Sequence, residues 1–181
     1  MLKFNVHIKG TAPLLFNRFP EEENPEGKSK GKKAVLSKEE QVELSLYRDE
    51  NDKVYQPADH ILGSMIKASV NFKLEGKKTF KDVVKAGVFV EPLKIEHLEQ
   101  DYTDDWRAVV IPSSRGRVMK GRARMDKWQM KFKVVCIDPR ATAQDIKDIL
   151  EYAGSYCGIG DYRPRYGRFD VVLFQEEKVR N

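Results

Sequence analysis

The stretch WQMKFKVVC, residues 128–136, is the point from which the fold can be read. Trp128, Met130, Phe132, Val134 and Cys136 alternate with Gln129, Lys131 and Lys133, the period of two of a strand with one buried and one wet face. Downstream, Thr142 occupies a helix N-cap position. Ile146, Ile149, Leu150 and Ala153 form one helical stripe behind it, and Gly154 is placed to end the helix. RFDVVLF (168–174) reads as a closing strand. Upstream, RAVVIP (107–112) reads as a short strand and VFVEPLKI (88–95) as another, which Pro92 confines to a sheet edge because it has no N–H to donate. Ile61, Met65, Ala68 and Phe72 share one helical face behind Pro57 and Asp59. Leu2, Phe4, Val6 and Ile8 alternate with Lys3, Asn5, His7 and Lys9 to open the chain with a strand.

The order is strand, helix, strand, strand, helix, strand. An α+β, ferredoxin-like (RRM-like) βαββαβ fold follows: a four-stranded antiparallel sheet of order 4-1-3-2 with both helices on one face, plus insertions and a basic β-hairpin. The 181 residues are expected to form a single domain. Residues 20–56 are an insertion in it, flexible over 21–33, where EEENPEGKSKGKK has no apolar residue. Ser37 and Glu40 have capping-box spacing ahead of a short helix in KEEQVELSLY. On the open sheet face Lys3, Asn5, His7, Lys9, Gln129, Lys131 and Lys133 supply none of the aromatic rings with which an RNA-recognition motif stacks bases.

With 40% hydrophobic and 34% charged residues, the composition is that of a globular protein with a polar surface. No run is long enough to span a bilayer, and MLKFNVHIKG lacks a signal-peptide core, so a cytoplasmic location without membrane contact is expected. Cys136 and Cys157 have no partner at zinc-ligand spacing. Asp101, Asp104 and Asp105 read as a solvated acidic loop, and Ser113 and Ser114 have no identifiable base. No metal or cofactor is expected.

The net charge is +5, but its distribution says more than its sum. SSRGRVMKGRAR (113–124) carries Arg115, Arg117, Lys120, Arg122 and Arg124 without an acid, inside a basic hairpin spanning 113–126. GIGDYRPRYGRF (158–169) adds Arg163, Arg165 and Arg168 to Tyr162, Tyr166, Gly158, Gly160 and Gly167. Clustered arginines suit phosphates, glycines admit a close ligand, and tyrosines stack on bases. Together they point to single-stranded nucleic acid, RNA or DNA. Loss of Arg122 and Arg124 is expected to weaken binding of all sequences alike.

G-x-G, six residues, then G-R-F between the last helix and last strand resembles the signature loop of the RAMP superfamily of CRISPR systems. QPADHILGSMIKAS (56–69) is similar to the segment opening the first helix of CRISPR effector backbone subunits. The chain also resembles small phage- and prophage-encoded proteins with NRF, YRDE, GIG and RP segments. The resemblance implies RNA binding, with other copies of the chain or other CRISPR subunits as partners. It further implies a thumb that kinks the RNA, located in Ser113–Met125 or in the Lys28–Lys33 insertion. Two other readings stay open. A metal-independent endoribonuclease of the RAMP type would use a histidine, with His60 the candidate ahead of His7 and His97, and Tyr162 or Lys67 assisting. A protein-interaction or assembly module would bind no oligonucleotide.

Overall fold

The computed structural model describes residues 1–18, 37–110 and 115–177. The expected flexible segment 21–33, the Lys28–Lys33 thumb and Ser113 lie outside the described residues.

The chain opens with β1 (Leu2–Gly10), turns into β2 (Leu14–Leu15), and resumes with α1 (Lys38–Glu43). Ser37 closes the capping box there: its hydroxyl accepts from the Glu40 N–H, and its own N–H donates to the Glu40 carboxylate. Next come β3 (Tyr55–Pro57), α2 (Ala58–Ser69), β4 (Lys73–Glu75), β5 (Lys78–Thr79), α3 (Lys81–Gly87), β6 (Val88–Glu91) and β7 (Lys94–Glu96). The hairpin β8 (Thr103–Val110) and β9 (Arg117–Met125) leads to β10 (Gln129–Cys136), α4 (Ala143–Tyr152), a π-helical turn (Ala153–Cys157) and β11 (Phe169–Glu176).

The result is a mixed α+β fold. Its main sheet has the order β11, β1, β10, β6 with antiparallel neighbours, and a second sheet has the order β2, β9, β8. Register stacks Phe4 on Val134, Val6 on Phe132 and Ile8 on Met130. All six are buried, and they share a core with Ile61 and Met65 of α2 and Ile146, Ile149 and Leu150 of α4. The Phe174 ring extends this face, stacked on Phe4 with centroids 4.4 Å apart. Trp128 lies just before β10 and is 1% exposed, its indole Nε1 donating to the Ala12 carbonyl at 2.9 Å. The residues read as alternating apolar sets therefore do form the buried face.

Several expectations are corrected. VFVEPLKI is two strands: β6 stops at Glu91 on the sheet edge, and β7 pairs with β3 instead. Proline without an N–H ends the ladder rather than merely sitting at its margin. RAVVIP starts four residues earlier than read, at Thr103. Phe72 lies beyond α2 and packs edge-on to Tyr152, centroids 5.6 Å apart. Gly154 does not end the last helix, which winds on as the π-helical turn; a Cβ there would meet the Phe169 ring and backbone. No helix among the described residues is long and apolar enough to cross a membrane.

Candidate nucleic-acid interface

The glycine-rich loop is fastened to the turn between β1 and β2. Gly167 N–H donates to the Pro13 carbonyl at 2.8 Å, Asp161 N–H to Leu15 at 2.8 Å and Ile159 N–H to Gly167 at 2.9 Å. The Gly158 N–H donates to Ala153 at 2.8 Å and closes the π-helical turn. Gly160 (φ +74°) and Gly167 (φ +69°) adopt the left-handed backbone that side chains resist. A Cβ on Gly160 would lie 2.7 Å from the Leu15 carbonyl oxygen, and one on Gly167 would collide with the Ile159 carbonyl. The sequence reading gave these three glycines to a ligand. They face the protein's own backbone, and their work is to let the loop close on itself.

That closure sets the side chains. Arg122, in β9, is 5% exposed, and its Nε lies 2.8 Å from the Asp161 carboxylate. Its guanidinium lies 5.2 Å from the Tyr162 ring centroid. Cross-strand from it is Asp105, which pairs with Arg107 and, at 3.4 Å, with Arg124. Arg107 also donates to the Tyr166 hydroxyl and lies 4.8 Å from that ring. Arg124 reaches Asp126 at 2.9 Å, and Lys120 Nζ donates to the Asn17 side chain at 2.7 Å.

The arginine-rich stretch thus carries no acid of its own but receives carboxylates from β8, from the turn after β9 and from the loop. Arg122 and Arg124 are committed to ion pairs rather than free to grip phosphates. Asp105, read as part of a solvated acidic loop, is buried and holds two arginines. Charge pairing moves both sides of this contact: hydrogen bonding to Arg107 holds the Asp105 carboxyl below the usual carboxylate range, and Asp105 raises Arg107. Burial, then the charge of Arg122, lowers Lys120. Arg115, Arg117, Arg163, Arg165 and Arg168 remain exposed, as does Tyr162 at 39%, while Tyr166 is half-buried.

Beneath the loop, at the start of α2, is a cleft of about 220 Å³ lined by Asn17, Tyr47, Gln56, His60, Asp161 and Arg163 among others. Gln56 Nε2 meets His60 Nδ1, and the His60 ring stands edge-on to Tyr47 at 5.5 Å. Burial and then the Arg163 charge hold His60 below the usual histidine pKa. Lys67 is not among the residues lining this cleft. The other histidines are elsewhere. His97 is 1% exposed between Phe16 and Trp128, and burial brings its pKa down to about 3. His7 shares a hydrogen bond with Gln129 at 3.0 Å on the open sheet face, beside a wider cleft of about 730 Å³ flanked by Leu93, Lys131 and Leu173. Arg107 and Asn17 escaped the sequence reading because their partners Tyr166 and Lys120 lie 59 and 103 residues away, and Tyr47 and Gln56 because no periodicity marks a side chain that lines a cleft.

No family model matches the chain, and no curated protein matches it. Among solved structures, a chain in the cryo-EM structure of the type III-B Cmr-beta bound to cognate target RNA aligns with a TM-score of 0.64 and 11% identity, over 98% of this chain and 61% of that one. The likeness is one of fold. This chain spans about three fifths of its counterpart's length. A CRISPR protein from Archaeoglobus fulgidus aligns at 14% identity over 98% of this chain and 65% of that one, with a TM-score of 0.43.

Proposed function

We propose that the chain is a ferredoxin-like, RAMP-type protein that binds single-stranded RNA as a CRISPR-associated subunit. The carrying observation is the clasp between hairpin and loop: the Arg122–Asp161 pair and the Arg107 contacts with Tyr162 and Tyr166 bring two cationic segments onto one surface. The strand order β11, β1, β10, β6, with α2 and α4 in one core with it, supports the ferredoxin-like assignment. The shared fold with a chain from an RNA-bound Cmr-beta supports RNA as the ligand.

Division of labour follows from burial. Asp105, Arg107, Arg122 and Arg124 build the surface, and Arg163, Arg165 and Arg168 meet phosphates from it, with Arg115 and Arg117 extending the contact along the hairpin. Tyr162 offers an exposed ring for a base. Replacing Arg163, Arg165 and Arg168 together by alanine is expected to weaken oligouridylate binding about 10- to 100-fold, with the melting temperature unchanged, as measured by fluorescence anisotropy and thermal unfolding. An unchanged affinity refutes the loop as a contact. Failure of the unsubstituted chain to bind any oligonucleotide at low salt would favour the assembly-module reading.

One observation keeps endoribonuclease activity in view: His60 lies in the cleft beside Arg163, and its lowered pKa leaves it neutral, ready to accept a proton at neutral pH. On that reading labelled RNA is cut in EDTA and spared by the His60→Ala protein. Uncut RNA with the unsubstituted protein removes it.

A further inference from the structure

Gln56 lines the cleft at the foot of α2 and is 1% exposed. Its Nε2 is taken by His60, while Oε1 is buried with no hydrogen-bond partner among the described residues. Turning the amide over leaves the Nε2 donor unfilled in place of the Oε1 acceptor, so in either orientation one polar end of Gln56 lacks a partner among the described residues. Asp161 lines the same cleft, its Oδ2 held by Arg122 Nε at 2.8 Å. Arg163 is exposed at the same cleft, with no carboxylate paired to it among the described residues. The site therefore combines one available cation with one buried amide end that has no partner among the described residues. At about 220 Å³ it suits a single sugar or base rather than a stacked run.

A nucleotide matches this set. Its phosphate answers the guanidinium, and its ribose carries a 2′-hydroxyl that can donate to or accept from the buried amide end. Deoxyribose has the phosphate without the hydroxyl, so only one of the two needs is met. Phosphate contacts give affinity without telling one nucleic acid from another, whereas a buried polar group left unpaired penalises the ligand that lacks its complement.

We propose that this cleft reads the sugar of one bound ribonucleotide, with Arg163 on its phosphate and its 2′-hydroxyl bonded to the free end of the Gln56 amide. This rests on the RNA-binding reading above and adds where RNA is told from DNA.

The test compares an oligouridylate of about 12 nucleotides with its 2′-deoxy counterpart, equal in base and charge, by fluorescence anisotropy. The unsubstituted protein is expected to hold the RNA about 10-fold tighter. Gln56→Leu should bring the ratio close to one by weakening RNA while leaving DNA affinity as it was. Because Gln56 is buried, the question is also put to the unsubstituted protein, with a single 2′-deoxy position walked along the RNA. One register should lose most of the preference. Equal affinity for the two oligonucleotides overturns the sugar-reading cleft and leaves nucleic-acid binding intact. A preference that survives Gln56→Leu, or that is spread evenly along the RNA, also overturns it. Binding of neither oligonucleotide overturns this inference together with the function it rests on.

Discussion

Gly167→Ala is expected to destabilise the protein by about 4 kcal/mol and to abolish RNA binding with it. Two costs add. The left-handed conformation at φ +69° penalises any Cβ by about 1–2 kcal/mol. The new methyl also collides with the Ile159 carbonyl, a backbone atom that cannot swing aside, and overpacking of that kind costs about 1–3 kcal/mol. Relief requires moving residues 158–167, which breaks the Gly167 donation to Pro13 and the Asp161 donation to Leu15. For a chain of this length the melting temperature should fall by about 10 °C. Gly63→Ala is the control, because a Cβ there meets nothing within 4 Å and alanine favours the helix interior. It should raise stability slightly. A Gly167→Ala protein as stable as the parent would mean that the loop is not closed as described.

Asp105→Ala is the second large effect, at about 3 kcal/mol. The carboxylate is 6% exposed and faces two arginines, so its removal takes the shared counter-charge from Arg107 and leaves Arg124 with Asp126 alone. Breaking a buried pair costs about 3–5 kcal/mol, and the partial exposure of Arg107 and Arg124 puts this case at the lower end. The pH dependence has a defined sign. Since the folded pKa of Asp105 lies below its unfolded value, the stabilisation is present in full above the unfolded pKa of about 3.9. It is lost as pH falls through the folded pKa. Urea unfolding at neutral pH and at successively lower pH should show the parent losing stability towards acid and the Asp105→Ala protein losing less over the same interval. Parallel profiles would contradict the pairing.

The main sheet was legible because its information is local. Phe4, Val6 and Ile8, and Met130, Phe132 and Val134, declare a buried face by alternation alone, and the Ser37 and Thr142 caps need only the next three residues. Where the reading failed, the deciding partner was distant. Nothing near Asp105 announces that β9 will bring Arg124 against it, so an acidic run looks wet. Nothing near Arg122 announces Asp161, so an arginine that ties two segments together looks like one that reaches for phosphate. The loop glycines suit either a ligand or a neighbouring backbone, and only the path of residues 11–15 decides between them. His97 stands among acids in the sequence, while in space its neighbours are Phe16 and Trp128. Arg163, Arg165 and Arg168, named from the sequence as candidate phosphate contacts, are exposed.

We propose that the clasped hairpin and loop present their remaining arginines as one phosphate-binding surface. The most direct test of this claim is the affinity for an oligouridylate measured across a range of salt concentrations. Each phosphate neutralised on a single strand contributes about −0.7 to the slope of log K against log salt, so removing Arg163, Arg165 and Arg168 should make the slope shallower by about 2. A slope that is the same with and without these arginines would contradict the claim.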